Sequence, residues 1–404
     1  MSNVHPLVQA ALPVAAKAAA MQQSLVTESI GRGDMVKTAM LAMITGRPAF
    51  YLGPPGTNKT GTVQALAKRV PGAVFHEELM PTVVSVEQLI VDSTSIEETA
   101  TPGGGKSIRT KDALGRAATA HFFFADEIWK AEPRVLQTLL DLAKGDGVRH
   151  DGALVKTPLK AFFAASNELP EPEGNLGALW SRMTIRAFVA PLDRTGKQAL
   201  VASRLTRYRG QGSNAPAQLT LAELDTLRAA RPHVSIPDAI VTIVLDLVES
   251  LRDEQSSDFS WLWADDRRFG RIFDVLQAQA LLNGRASVTK ADLAVCEWLL
   301  WDTPEQLPVV KAKLAPLCRT PLLDAEELVN MLLAPGGKMA TALSGNRQVA
   351  VKAVQEAQTA QEELQKLRQA ADSADYQALD ALVAKVNKAL KDALNITLGT
   401  AAVS

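Results

Sequence analysis

An apolar run that breaks into a glycine-rich turn and resumes as a helix constrains this chain more than any other stretch. Ala49-Phe50-Tyr51-Leu52 leads into Gly53-Pro54-Pro55-Gly56-Thr57-Asn58-Lys59-Thr60-Gly61, after which Val63, Leu66, Ala67 and Val70 keep helical spacing. This is the strand–loop–helix setting in which a Gly-x-x-x-x-Gly-Lys-Thr loop binds phosphate. Backbone N–H groups of such a loop wrap the β-phosphate, and the helix N-terminus behind it adds partial positive charge. Lys59 is placed to reach the β- and γ-phosphates, and the Thr60 hydroxyl to ligate Mg²⁺. Asn58 stands where the second glycine is usual, and Asn tolerates unusual backbone angles better than most side chains.

Two further apolar runs end in chemistry. His121-Phe122-Phe123-Phe124-Ala125 is followed by Asp126-Glu127, a strand ending in two carboxylates. Asp126 at the strand's carboxyl end suits the Mg²⁺ shell, and Glu127 suits polarisation of an attacking water. Leu159–Ala165 is another apolar run and ends in Ser166-Asn167. The neutral amide of Asn167 can orient that water and touch the γ-phosphate without adding charge. An acidic turn or a Ser-Asn turn is common by itself; the order of the three elements gives them weight.

Gly53–Thr60, Asp126-Glu127-Ile128-Trp129-Lys130-Ala131 and Ala165-Ser166-Asn167-Glu168-Leu169-Pro170 together resemble the AAA+ ATPases of the MoxR group, with wording similar to the RavA branch. The resemblance runs from about Ile30 to about Asp302 in a chain of 404 residues and implies an α/β fold: a parallel sheet between helices with an α-helical lid. It also implies further site residues. Leu179-Trp180-Ser181-Arg182-Met183 resembles the segment carrying an arginine finger, with Ser181 where Asp is usual. Arg182 would then stabilise transition-state charge in a neighbouring subunit's site. Asp265-Asp266-Arg267-Arg268-Phe269 resembles the start of the lid helix bearing sensor 2. Arg267 matches the nucleotide-facing position, while Arg268 could equally pair with Asp265. Ile30-Gly31-Arg32 resembles the adenine-pocket segment, so Ile30 and Gly31 are expected beside the nucleotide.

Organisation along the chain follows from period and punctuation. Residues 1–24 read as an N-terminal helical arm, because Gln9, Pro13 and Lys17 interrupt an apolar stretch that lacks a basic leader. Neither a signal peptide nor a membrane span is expected. Residues 25–190 form the expected core, with strands near Ala49–Leu52, Ala73–His76, His121–Ala125, Leu159–Ala165 and Ile185–Val189. Hairpin insertions are expected near 91–110, around Thr101–Lys106, and near 144–157, around Gly145–Gly147 and Asp151-Gly152. From 191 to 303 the apolar period is helical, with a helix start at Thr289. Prolines and Pro335-Gly336-Gly337 mark a linker with short helical pieces after 304, then Arg347–Ala371, a turn at Asp372–Asp375 and Tyr376–Leu394 read as a C-terminal helical hairpin. Leu379, Leu382, Val383, Val386, Leu390 and Leu394 give it one apolar stripe, suited to packing on its own subunit or to docking a partner.

A formal net charge of −1 gives no electrostatic pull toward nucleic acid, so a nucleic-acid motor is disfavoured. Cys296 and Cys318 have neither metal-ligand spacing nor a paired framework, which suits a reducing cytoplasm. His121, His150 and His233 are scattered and read as ordinary histidines. The expected activity is hydrolysis of Mg²⁺·ATP to ADP and phosphate by a homo-oligomeric ring, a hexamer, that remodels or activates a client protein. By analogy with MoxR-type proteins the partner carries a von Willebrand factor A domain, and a metalloenzyme client is a related expectation. The alternative is a nucleotide-gated binding switch with little turnover.

Overall fold

Ala49–Leu52 (β1) is buried at all four positions, as a strand covered on both faces must be. In the computed structural model it lies inside a five-stranded parallel sheet of order β2-β5-β8-β1-β9. Its partners are β2 (Phe75–Leu79), β5 (Phe122–Asp126), β8 (Ala161–Ser166) and β9 (Ile185–Phe188). The described residues are 4–100, 106–145, 147–150, 153–170, 176–208, 217–254, 259, 265–333, 347–371 and 376–399.

Register brings the chemistry to one edge. Leu52 pairs with Ser166 on one side and Phe188 on the other, and Leu79 pairs with Asp126. The carboxyl ends of β1, β5 and β8 therefore open together, where ligands bind in sheets of this kind. β2 begins and ends later than the expected Ala73–His76 because Gly72, at φ +78°, turns the chain first. It is an edge strand, and Glu77 and Glu78 disguise its apolar pattern.

Helices cover the sheet. Val8, Ala11, Ala15, Ala18, Met21 and Leu25 form the buried stripe of α1 (Pro6–Glu28). The small alanines let it pack closely on α2 (Gly33–Thr45) and on the helices Leu221–Ala230 and Asp266–Leu282. Lys17 reaches Glu223 at 2.7 Å, and the His5 ring stacks on His233 with centroids 3.8 Å apart. On the other side Phe50, Trp129 and Trp180 meet in a triangle of rings 5.3 to 5.7 Å apart. That contact fixes the turn after β5 and the helix before Arg182 to the central strand.

Two antiparallel ribbons stand outside the sheet. Val91–Ala100 (β3) pairs with Lys106–Leu114 (β4), and Val148–His150 (β6) with Ala153–Val155 (β7). The tips expected at 101–105 and at 146 and 151–152 lie outside the described residues. The first ribbon leaves the helix Val86–Ile90 and closes where Gly115 N–H donates to the Ile90 carbonyl at 2.6 Å. A Cβ at Gly115 would meet the Val91 backbone at 2.8 Å, so the ribbon's base needs glycine.

The chain divides into two compact units, Met1–Leu314 and Ala315–Ser404. Within the second, Ala325 and Val329 from Pro321–Leu333 join Ala357, Leu364, Leu379, Leu382 and Val386 in one core. The expected two-helix hairpin, Arg347–Ala370 with Tyr376–Gly399, therefore shares its core with Pro321–Leu333 among the described residues. Its turn at 372–375 and the stretch 335–337 lie outside the described residues. Thr289 caps as expected, through Asp292, but the segment that follows, Lys290–Trp298, is a 3₁₀-helix. Cys296 is buried and Cys318 half-buried, and neither is part of a disulfide. Among the described residues no helix is long and apolar enough to cross a membrane.

Candidate functional site

The glycine-rich loop is held from below by the strands. Gly53 N–H donates to the Ser166 carbonyl at 3.1 Å, and a Cβ at Gly53 would sit 2.3 Å from the Val189 carbonyl oxygen. Gly56 has φ +78°, and Asn58 takes the left-handed conformation at φ 62°, ψ 37°, as N-cap of α3 (Lys59–Ala67). Pro55 and Gly56 are exposed. Thr60 and Gly61 follow Lys59 in the first turn of α3, where backbone N–H groups lack helical partners.

Lys59 is buried and folded back over this loop. Its Nζ donates to the Gly53 carbonyl at 2.8 Å, the Pro54 carbonyl at 3.2 Å and Asn167 Oδ1 at 3.1 Å. Burial lowers its pKa, with Asp126 and Glu127 opposing that shift and Arg32 adding to it. Arg32 is a site residue that sequence reasoning missed. Its buried guanidinium donates to the Thr57 carbonyl at 2.7 Å, the Gly31 carbonyl at 2.7 Å and the Ala190 carbonyl at 3.0 Å. It thus ties the expected adenine segment, the phosphate loop and the end of β9 together. Burial lowers the Arg32 pKa as well.

The acid pair ends β5. Burial raises the Asp126 pKa, Glu127's charge adds to this, and Lys59 opposes it. Glu77, on the neighbouring strand, is also raised by burial and by Asp126. Asp126 ends β5 and Glu127 follows it, so carboxylate oxygens stand together there, a setting that suits a hard divalent cation with oxygen ligands. Glu127 is left-handed at φ 52°, a strained value for a non-glycine residue, and its N–H donates to Asp126 Oδ1 at 3.1 Å. Its carboxylate accepts from the Asn167 amide and from the Ser166 hydroxyl at 3.5 Å, and lies 3.4 Å from Lys130 Nζ. Asn167 therefore bridges Lys59 and Glu127 directly.

One cavity lies at the expected adenine segment and another at the loop itself. The first, of about 440 Å³, is lined by Gly31–Met35 and Phe188–Asp193, so it includes Gly31 but not Ile30. The other, about 380 Å³, is lined by Gly53, Pro54, Asn167, Glu168 and Thr303–Glu305 among others.

Arg182 and Arg267 belong to a separate cluster. Arg182 donates to the Ala178 carbonyl at 2.6 Å; burial lowers its pKa, and Arg267 lowers it further by repulsion. Arg267 is exposed, and its charge is near enough to Arg182 to be felt there. Ser181, where Asp is usual, donates to the Ala178 carbonyl at 3.2 Å. Arg271 donates to Thr184 Oγ1 at 3.1 Å, which joins Asp266–Leu282 to the Arg182 segment. Behind them Arg186 and Arg268 are wholly buried and converge on Asp302. Asp265 accepts the Arg268 backbone N–H at 3.0 Å, whereas the Arg268 side chain binds Asp302 and the carbonyls of Leu299 and Trp301. The structure thus brings Lys59, Asp126, Glu127 and Asn167 together and groups Arg182 with Arg267.

Residues 16–229 match the family model of the MoxR domain in MoxR-vWA-beta-propeller ternary systems, and residues 239–314 match an AAA lid domain. An uncharacterized protein of Methanocaldococcus jannaschii is 23% identical over 321 residues, spanning 77% of this chain and 78% of its own length. A structural protein of Acidianus two-tailed virus is 28% identical over 320 residues, 72% of this chain and 50% of the viral protein. Among solved structures, a candidate ATPase from Cytophaga hutchinsonii superposes with a TM-score of 0.55 at 17% identity, covering 76% of this chain and 96% of that one. That likeness concerns the fold.

Proposed function

This chain belongs to the MoxR family of AAA+ ATPases, and on that premise we propose that it hydrolyses Mg²⁺·ATP as a ring to remodel or activate a protein partner. The observation that carries the reading is the chain of contacts Lys59–Asn167–Glu127, which links the phosphate loop to the acid pair through one amide. A phosphate arriving at the loop competes for Lys59, and what Lys59 does is then felt at Glu127.

The geometry supports the following assignment of roles. Backbone N–H groups of Gly56 to Gly61 bind the β-phosphate, and Lys59 leaves its carbonyl partners for the β/γ-phosphates. Gly31 and the residues facing it across the 440 Å³ cavity receive the base, with Ile30 behind them. Thr60 and Asp126 offer the hydroxyl and carboxylate oxygens that fit Mg²⁺, which when bound neutralises charge developing on the phosphates. Glu127 accepts a proton from the attacking water while Asn167 orients it. Arg182 serves the site of a neighbouring subunit, and Arg267 contacts nucleotide from the same side. That arrangement makes the oligomer, here a hexamer, the active unit.

A von Willebrand factor A partner is supported by the name of the matched family, which couples MoxR domains with such a component and a β-propeller. The RavA affinity rests on the wording of Asp126–Ala131 and Ala165–Pro170.

The test separates binding from hydrolysis. Lys59→Ala is expected to lose Mg²⁺·ATP affinity in calorimetry. Glu127→Gln is expected to bind ATP and retain it, with turnover reduced by ~10²–10⁴. Unchanged affinity in the first variant, or near-normal turnover in the second, would remove the assignment. Tight binding with negligible turnover in the unmodified protein and its partner would favour a nucleotide-gated switch.

A further inference from the structure

Lys130 sits where its ammonium can be shared between two carboxylates. Its Nζ lies 3.4 Å from Glu127 Oε2 and 3.7 Å from Glu168 Oε1. Its main chain is fixed, because Lys130 ends the short turn Ile128–Lys130 and its N–H donates to the Glu127 carbonyl at 3.0 Å. Ile128 and Trp129 in that turn are buried, and Trp129 packs against Phe50 and Trp180. What remains free is the long side chain, half-exposed at 49%.

The two carboxylates are not equivalent. The Glu127 side chain is only 16% exposed, and both of its oxygens already have donors: Asn167 on Oε1, Lys130 and Ser166 on Oε2. A carboxylate held this way is turned toward protein donors rather than toward an attacking water. The Glu168 side chain is 58% exposed and lines the 380 Å³ cavity together with Asn167, Pro54 and Thr303. Glu168 lines that cavity, and Glu127 is not among its lining residues.

We propose that Lys130 is a positioning residue that restrains Glu127 in a withheld pose, and that transfer of its ammonium to Glu168 releases the base. This rests on the reading of Glu127 as the base. With Lys130 on Glu168, Oε2 keeps only the weak Ser166 contact and can turn to water. With Lys130 on Glu127, the site binds nucleotide but turns over slowly. The pair Lys130–Glu168 is thereby a point where contact at the rim of the cavity is converted into rate.

The experiment is steady-state Mg²⁺·ATP hydrolysis by the full chain, with ATP affinity measured in parallel. Lys130→Met is expected to raise kcat roughly two- to fivefold, the range for a partly exposed ion pair, with ATP affinity unchanged. Lys130→Arg keeps the charge and is expected to hold the parent rate. Glu168→Gln is expected to lower kcat by a similar factor, since Lys130 then stays on Glu127. The double variant Lys130→Met/Glu168→Gln should match Lys130→Met alone, because Glu168 acts only through Lys130. A fall in kcat for Lys130→Met, or a Glu168→Gln effect that persists without Lys130, overturns the proposal. If Glu127→Gln hydrolyses ATP at the parent rate, the reading of the base itself has failed, and the proposal falls with it by a separate measurement.

Discussion

From Lys59 a run of side chains bonds one to the next; around Arg186 the guanidinium groups bond largely to the main chain. Lys59, Asn167, Glu127 and Lys130 form a run of side-chain contacts in a partly open setting. Arg186 instead donates to the carbonyls of Met183 at 2.8 Å, Trp180 at 2.9 Å and Trp301 at 2.7 Å, and its guanidinium lies 3.5 Å over the Trp180 ring. Arg268 donates to Leu299 and Trp301 carbonyls in the same way. Side-chain bonds can be exchanged for those of a ligand, whereas guanidinium bonds to fixed carbonyls hold segments in place. One cluster is therefore built to change partners and the other to stay still. Burial drives the Arg186 pKa far down despite Asp302, and Arg268 falls to about 10 for the same first cause. Both shifts are led by loss of hydration, which the Asp302 carboxylate offsets only in part, and Arg182 and Arg267 stand nearer the surface.

The sharpest way to break this comparison is to remove the outermost cation. If the arginine cluster serves a neighbour's nucleotide, Arg182→Ala should bind ATP almost normally and lose ~10³–10⁵ in turnover. Its stability should change by about 0.5 kcal/mol or less, because the side chain is partly exposed and anchors only at Ala178. Mixing it with Glu127→Gln subunits should restore activity at interfaces pairing an intact Glu127 with an intact Arg182. Exchange of subunits without any recovery would show that Arg182 acts within its own chain.

The second test falls on the rigid cluster. Asp302 is the carboxylate shared by Arg186 and Arg268, so Asp302→Ala leaves buried guanidinium charge uncompensated. Loss of ~3–5 kcal/mol in urea unfolding is expected. Burial pushes the Asp302 pKa up, but the two guanidinium groups outweigh it and leave it below 3.8. A depressed folded-state pKa means that this stabilisation is fully present above 3.8 and fades as pH falls through the folded value. The gap between parent and variant should therefore be constant from neutral pH down to about 5 and close only in stronger acid.

These two clusters were unequally legible in the sequence. β1, β5 and β8 could be read because each is an apolar run that stops at polar chemistry, at Gly53, Asp126-Glu127 and Ser166-Asn167. The edge strand β2 was displaced in the reading because Glu77 and Glu78 face outward or toward the site and erase its period. Arg32 carried no signal of its own, since its partners at Thr57 and Ala190 are carbonyls, which every residue has. Arg186 carries no signal for the same reason, and its bond to Asp302 spans 116 positions of sequence. Prolines suggest a linker with short helical pieces after 304, and Pro321–Leu333 is a full helix there. Pro321 in fact opens that helix, where a missing N–H costs nothing.

The smallest expected effect concerns Asn58, and it asks whether the phosphate loop depends on its backbone shape or on its side chains. Asn58 is exposed, makes no capping bond with its side chain and sits at φ 62°, which costs most L-residues about 1–2 kcal/mol. Asn58→Gly removes that strain but adds freedom to the unfolded chain, worth roughly 0.5–1 kcal/mol in the opposite direction. The two should nearly cancel, leaving stability within about 1 kcal/mol of the parent and Mg²⁺·ATP affinity intact. Asn58→Val keeps a side chain of similar bulk but is β-branched and resists this conformation. It should lose at least ~1 kcal/mol and weaken nucleotide binding, because the N–H groups of Lys59 and Thr60 would no longer point into the loop. If Gly and Val behaved alike, backbone shape would not be what prepares this loop, and the contrast with the arginine cluster would lie in burial alone.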